Sequence, residues 1–349
     1  MSLIASKHGR LSSATFPMFH RVHDALLRLG IPAVDLYLEL GFVSPKDGAA
    51  LPRISMEDYL VLLERAASIF RRPSIGLDIA KVRDIDSYAL LSSLLKNSPT
   101  IGDAARHINT FAKALTPGAV GSLEKKEGLV HWTYSVEGAT AEAARHETEM
   151  TLSEIIGALR ALLSLPNWSP RRVMFQHSSC GADAALREFS GCEILFDHEK
   201  TGMELDPEIL NCAIAGADEN RYQLLLSQMA ETLETEKIPN DFLGEVNFYL
   251  SSKIGFSNCS ADAIARDLAT SLRTFYRRLA LHGESFNSMK QQRLISIAKN
   301  ALTMTDLTFT EIALQLGYSD GASFSRAFKR ETSMTPSQFR AQHVMKGIE

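Results

Sequence analysis

The sequence predicts a mainly α protein in two parts: an α+β N-terminal domain with few strands, then an all-α C-terminal domain holding two helix-turn-helix units. Three observations carry this. The chain has 349 residues, about twice a typical domain, and its 45% hydrophobic and 22% charged content is that of packed globular protein rather than disordered chain. Apolar residues recur at helical spacing over most of the length and switch towards alternation near residues 119–136. The last hundred residues contain a segment that repeats.

Residues 1–15 read as a flexible N-terminal tail, and the opening MSLIASKHGRLSSATF lacks the apolar core of a secretory signal. No stretch approaches the roughly 18 uncharged apolar residues of a membrane span, and the best candidate, YLVLLERAASIF, is interrupted by Glu64 and Arg65. A cytoplasmic protein with no membrane partner is expected. Residues 16–41 read helical with a break at Gly30-Ile31-Pro32. A third helix starts at Ser55, where Ser55 and Asp58 form a capping-box pair, and it buries Tyr59, Leu62, Leu63, Ala66, Ala67 and Phe70. Helices over 87–96 and 100–115 follow, the second capped by Thr100 and Asp103. AVGSLEKKEGLVHWTYSV reads as a β-hairpin turning at Glu127-Gly128, with Trp132 and Tyr134 on one face and His131 on the other. A long helix over 140–165 ends before Pro166, and strands at 171–177 and 193–196 enclose a helix at 182–190. The first domain is thus 16–212. A linker with one amphipathic helix spans 213–241, and its end, Pro239-Asn240-Asp241, marks the boundary with a second domain at 242–349.

Catalytic signatures are missing: there is no GxSxG, GxGxxG, GxxxxGK or HExxH. Cys180, Cys192, Cys212 and Cys259 form no CxxC pair and no zinc spacing, so free thiols are expected. His20 and His23 stand at i, i+3, but no carboxylate or cysteine cluster accompanies them. Asp84-Ile85-Asp86 reads as solvated. His131, Trp132 and Tyr134 either line a small-molecule pocket or are plain core. The expectation is no enzyme, no metal and no cofactor.

Charge is uneven. The whole chain carries 37 Lys and Arg against 41 Asp and Glu, a net of −4, yet residues 242–349 hold 13 basic and 9 acidic residues, a net of +4 that leaves −8 to residues 1–241. An acidic body with a basic tail domain fits a part that meets a polyanion. The repeat gives that idea a geometry. SADAIARDLATSLRTFYRRL (260–279) aligns with TFTEIALQLGYSDGASFSRAF (308–328): Ile264-Ala265, Leu268 and Ser271 match Ile312-Ala313, Leu316 and Ser319 at an offset of 48. One inserted residue later, Phe275-x-Arg277-x-Leu279 matches Phe324-x-Arg326-x-Phe328. Each copy reads as helix, tight turn, helix, in units at about 260–281 and 308–330. Ser260, Ser271, Thr308 and Ser319 are the expected helix caps, with Glu311 completing a capping box at Thr308. Gly317 suits the left-handed turn; the first copy has Ala269 there. Leu272, Phe275 and Leu279 pack inward, whereas Arg273, Tyr276 and Arg277 project outward, as a major-groove recognition helix requires. In the second copy Phe324 and Phe328 point inward, and Ser323 and Arg326 face the groove. Arg278, Lys329 and Arg330 are placed for phosphates.

These residues resemble the DNA-binding domain of AraC/XylS-type transcriptional regulators, on the strength of IALQLGYSDGASFSRAFKR (312–330), the closing TPSQFR (335–340) and SLRTFYRRL (271–279). The resemblance makes KQQRLISIAKNAL (290–302) the connecting helix and places base contacts on Arg273, Tyr276, Arg277, Ala322, Ser323 and Arg326; the alanine departs from a polar contact residue. Residues from about 20 to 210 resemble the arabinose-binding-type effector and dimerisation domain of one subgroup, through YALLSSLLKNSPTIGDAARHI (88–108) and RRVMFQHSSCGADAALREFSGCEILFDHEKTGMELDPEIL (171–210). It implies a small-molecule metabolite effector, not necessarily arabinose, with double-stranded DNA, a second copy of the chain and RNA polymerase as partners. The function expected is a sequence-specific, ligand-responsive transcription regulator, an activator by the resemblance. The alternative is an interaction protein that meets nucleic acid or another partner without specific DNA readout.

Overall fold

The computed structural model describes residues 17–40, 54–83, 89–116, 118–234, 242–254, 259–268 and 270–344. Residues 1–15, Asp84-Ile85-Asp86, Pro239-Asn240-Asp241 and Ala269 lie outside the described residues. Contacts divide the chain into two compact units: Met1–Lys46, Leu51–Ser87 and Pro99–Ala215 form the first, and Asp47–Ala50, Tyr88–Ser98 and Gly216–Glu349 the second.

The first unit opens with α1 (Pro17–Arg28) and α2 (Ala33–Glu39), separated by Gly30 at φ +73 before Ile31 and Pro32. Helix α3 (Met56–Ile69) starts in a complete capping box: Ser55 Oγ accepts from Asp58 N, and Asp58 accepts from Ser55 N. Its buried stripe is Tyr59, Leu62, Leu63, Ala66 and Ala67; Phe70 is the half-buried C-cap. Helix α4 (Ile75–Val82), which the sequence reading left out, packs on the later helix α7 (Arg145–Leu163). A Cβ on Gly76 would run into the His146 carbonyl, so glycine permits this close crossing. Helix α5 (Ala89–Asn97) belongs with the second unit, and the first resumes at α6 (Ile101–Leu115), where Thr100 Oγ1 accepts from Asp103 N.

The hairpin forms as expected, from β1 (Ala119–Lys126) and β2 (Leu129–Val136), with Lys126 paired to Leu129. Glu127 (φ +54) and Gly128 (φ +78) both take the left-handed conformation that a two-residue hairpin turn of matching twist demands. Strands β3 (Arg172–Met174) and β4 (Glu193–Leu195) are shorter than expected and flank α8 (Asp183–Ser190). An unexpected strand, β5 (Gly202–Leu205), completes a sheet of order β1-β2-β5-β3-β4, antiparallel except for β3 with β4. Its four residues are too few to show alternation, yet β5 joins the hairpin to the other pair. Helix α7 begins at Arg145, five residues later than expected, and ends on Ser164 at φ +55. A 3-10 turn spans Pro207–Asn211.

The second unit is helical throughout its described residues. After α5 come α9 (Glu219–Glu234), α10 (Phe242–Lys253), α11 (Ala261–Asp267), α12 (Leu272–Leu281), α13 (Phe286–Met304), α14 (Phe309–Gln315), α15 (Gly321–Thr332) and α16 (Pro336–Val344). The 87–96 helix, expected in the first domain, packs here on α9 and α10, and α9, expected in a linker, packs on α13 and α14 as well. The reason is apolar surface. Leu90, Leu91, Leu94 and Leu95 of α5 and Tyr222, Leu224, Leu225 and Met229 of α9 are buried, and each helix covers the other. Gln228 Nε2 donates to the carbonyls of Ser251 (2.5 Å) and Ile254 (3.0 Å), closing the end of α10. Among the described residues no helix is long and apolar enough to cross a membrane.

Candidate nucleic-acid interface

Two helix pairs, α11 with α12 and α14 with α15, share one local design. Ser260 Oγ accepts from Ala263 N and Ser271 Oγ from Thr274 N; Thr308 Oγ1 accepts from Glu311 N while Glu311 Oε2 accepts from Thr308 N at 2.7 Å. The turns match too: Thr270 N donates to Ala265 O and Tyr318 N to Ala313 O, both at 2.9 Å. Gly317 sits at φ +89 in the second turn.

The cap of α15 departs from expectation. Asp320, not Ser319, holds the position, its Oδ1 accepting from Ser323 N at 2.7 Å. Tyr318 is 48 residues beyond its counterpart Thr270, and Asp320 is 49 beyond Ser271, so Ser319 is itself the inserted residue; its hydroxyl donates to Asp320 Oδ2. Hydrogen bonds from the Ser323 N–H and the Ser319 and Ser323 hydroxyls hold the Asp320 carboxyl down at about 2.

Inward residues are as expected with one exception. Phe275, Leu279, Phe324 and Phe328 are buried, over Ile264, Ala265, Ile312 and Ala313. Leu272 remains 39% exposed. It is the first residue of α12 and, seven residues before Leu279, lies within about 20° of it around the axis, so its place at the helix end, not the face it occupies, accounts for its exposure. Phe275 also meets Phe286 of α13 (6.1 Å between centroids), and Gln291 of α13 donates to the Tyr318 hydroxyl at 3.1 Å, so the connecting helix holds both pairs. Arg340 of α16 donates to Leu302 O (3.0 Å) and Leu307 O (2.7 Å), satisfying carbonyls at the end of α13 and before α14.

The outward faces differ. On α12, Arg273, Tyr276 (49% exposed) and Arg277 all reach solvent. On α15, Ala322 and Arg326 are exposed and Ser323 is half-buried, its hydroxyl donating to Asp320 Oδ2 and accepting from Arg326 Nη2 at 3.0 Å. Ala322 stands where the first copy has Arg273, so α15 offers a smaller polar surface. Lys329 and Arg330 are exposed, Arg330 beside Glu331 at 3.1 Å. Arg278 is half-buried, its guanidinium stacked 3.9 Å from the Phe242 ring centre, which commits one of its faces to packing.

The two profiles found in the chain fit this geometry. Residues 20–214 match the arabinose-binding domain of AraC transcription regulators, N-terminal, and residues 264–342 match a helix-turn-helix domain. The chain belongs to the AraC family of transcription regulators. This family is DNA-binding and not enzymatic. Similar proteins include the HTH-type transcriptional regulator VirS of Mycobacterium tuberculosis, 26% identical over 84% of this chain and 86% of that protein. The ornithine utilization regulator of Pseudomonas aeruginosa is 24% identical over 82% of this chain and 84% of its own. The urease operon transcriptional activator of Escherichia coli is 36% identical over 23% of this chain and 27% of its own.

The first unit contains polar residues that the sequence reading passed over. Glu147 is fully buried; Tyr59 donates to its Oε2 at 2.7 Å and Tyr134 to its Oε1 at 3.1 Å. Burial pushes its carboxyl up to about 7. The available signal was RHETEM, charged residues facing both sides of a helix that must be mostly buried. Trp132 and Tyr134 are core, Trp132 Nε1 donating to Asn109 Oδ1, while His131 lies 3.8 Å from Glu204 on the other face. His23 pairs with the Tyr37 hydroxyl at 2.7 Å; the side chain of His20 lies outside the described residues. All four cysteines are free thiols, but Cys180 stands beside Glu149 and His177 in a trio of metal-ligating groups.

Proposed function

We propose that this regulator is a ligand-responsive, sequence-specific activator. Recognition helices α12 and α15 enter successive major-groove segments about one helical turn apart, and the arabinose-binding-type domain binds a small-molecule metabolite and dimerises. The observation that carries the DNA reading is the matched pair Arg277 and Arg326, both exposed at equivalent positions of two capped helices joined by one rigid helix. Arg277 with Arg273 supplies bidentate donors for guanine; Arg326 with Ser323 supplies the smaller second contact set. Lys329, Arg330 and Arg278 serve phosphates. Activation and a metabolite effector are supported by relatives whose names describe a transcriptional activator and an ornithine utilization regulator. RNA polymerase is the partner that activation requires.

Selection of fragmented genomic DNA by the purified protein, at about 150 mM salt where phosphate-only binding weakens, tests this. The expected result is an enriched motif of two blocks roughly 10 base pairs apart. Retention without a shared motif, both with and without a metabolite pool, overturns specific readout.

A further inference from the structure

The first unit buries three metal-ligating groups against one another. Glu149, in the second turn of α7, is fully buried, and its Oε1 lies 3.8 Å from His177 Nε2 and 3.7 Å from Cys180 Sγ. All three donor atoms fall within 4.8 Å of one another. Zinc bonds to oxygen, nitrogen and sulfur of about 2.0–2.3 Å at tetrahedral angles put donor atoms roughly 3.3–3.6 Å apart, so small side-chain shifts would close this trio on an ion.

The tautomer of His177 points the same way. Its Nδ1 lies 3.0 Å from the Ser178 carbonyl. A carbonyl only accepts, so Nδ1 carries the proton, and in the neutral ring Nε2 is a bare lone pair. That Nε2 is buried without a hydrogen-bond partner and faces a carboxylate oxygen. Two acceptors buried face to face need a cation between them. The ring has little freedom to turn away, with Phe175 at 4.9 Å and Phe196 at 5.6 Å between centroids. Around the trio stands a supporting layer of the kind metal ligands need. Glu149 Oε2 is 3.4 Å from His146 Nδ1, His146 Nε2 is 3.5 Å from Glu64, and Arg145 grips Glu64 at 2.6 and 2.9 Å. Ser178 and Ser179 are exposed and Cys180 is half-buried, which leaves an approach from solvent. Burial pushes the Cys180 thiol up to about 11, which disfavours a reactive redox thiol but not a metal ligand whose proton the ion displaces.

We propose that Glu149, His177 and Cys180 bind zinc(II), with a fourth coordination position open to water or a donor molecule. The mixed oxygen, nitrogen and sulfur set, close enough to draw in to tetrahedral spacing, is what selects zinc over harder ions. This inference stands apart from the DNA reading, and its test needs no DNA. Chelator-treated full-length protein is titrated with cobalt(II), whose visible bands report tetrahedral geometry and whose sulfur-to-metal charge-transfer band reports thiolate ligation. One equivalent should saturate both, and zinc(II) should displace it. Cys180→Ser should remove the charge-transfer band, and His177→Gln should weaken binding by roughly tenfold or more. Cys212→Ser, at an exposed thiol, should change neither, and circular dichroism checks that each variant keeps its helices. Saturation without a charge-transfer band, or a band that survives Cys180→Ser, overturns the site.

Discussion

In the proposed reading, single side chains on α12 and α15 divide the labour of DNA contact, and substitutions should separate them. Arg277 is exposed, as is Arg273 one turn before it on α12, and the two flank the buried Phe275. Arg277→Ala should cost about 1–3 kcal/mol on the preferred site and relax preference at one base position, measured by binding to a set of singly substituted operators. Lys329→Ala should instead weaken all sequences alike and lower the salt slope by about 1. A uniform loss from Arg277→Ala would reduce that residue to a phosphate contact. Ala322 can supply only apolar contact, which is why the second block of the operator should be the less stringent one.

Helices here are held by their ends as much as by their faces. Ser271 satisfies an otherwise orphaned N–H at the start of α12, so Ser271→Ala should destabilise the protein by about 1 kcal/mol, read from denaturant unfolding. Asp320 does the same for α15 as a carboxylate. Its folded-state value of about 2 lies below the ordinary one, so its charge contributes fully above about pH 5 and the contribution fades as pH falls towards 2. The melting-temperature gap between the native protein and Asp320→Asn should therefore narrow over that range; a gap constant down to pH 2 would assign it to packing. Legibility at this scale followed length. The capping box at Ser55, the hairpin turn at Glu127-Gly128 and the caps Ser260, Ser271 and Thr308 are local patterns within four residues, and all stand in the structure. Ser319 failed because a one-residue insertion slides the alignment without changing the composition, and only hydrogen-bond geometry shows which side of the cap it falls on. Four-residue β5 and eight-residue α4 are too short for periodicity to identify.

At the scale of the molecule, a ligand can alter DNA binding only through a difference in affinity between DNA-competent and DNA-incompetent states. The expected coupling is about 1–3 kcal/mol, a roughly 5- to 150-fold change in operator affinity, and it must be reciprocal. Titrating operator DNA with and without the effector, and effector with and without operator, should return the same factor. Unequal factors would mean the two ligands do not act through one equilibrium.

The sequence by itself determined the family, the repeat, the two helix-turn-helix pairs and most helix starts, because each of these is written in short runs of neighbouring residues. Tertiary structure alone decided that α5 and α9 pack together in the helical second unit, since an amphipathic stripe states that it must be covered but not by what. It also decided that Glu149, His177 and Cys180 meet. They are 28 and 3 residues apart on a helix and a loop, and no spacing rule links donors that are joined only by the way α7 lies against the loop between β3 and α8.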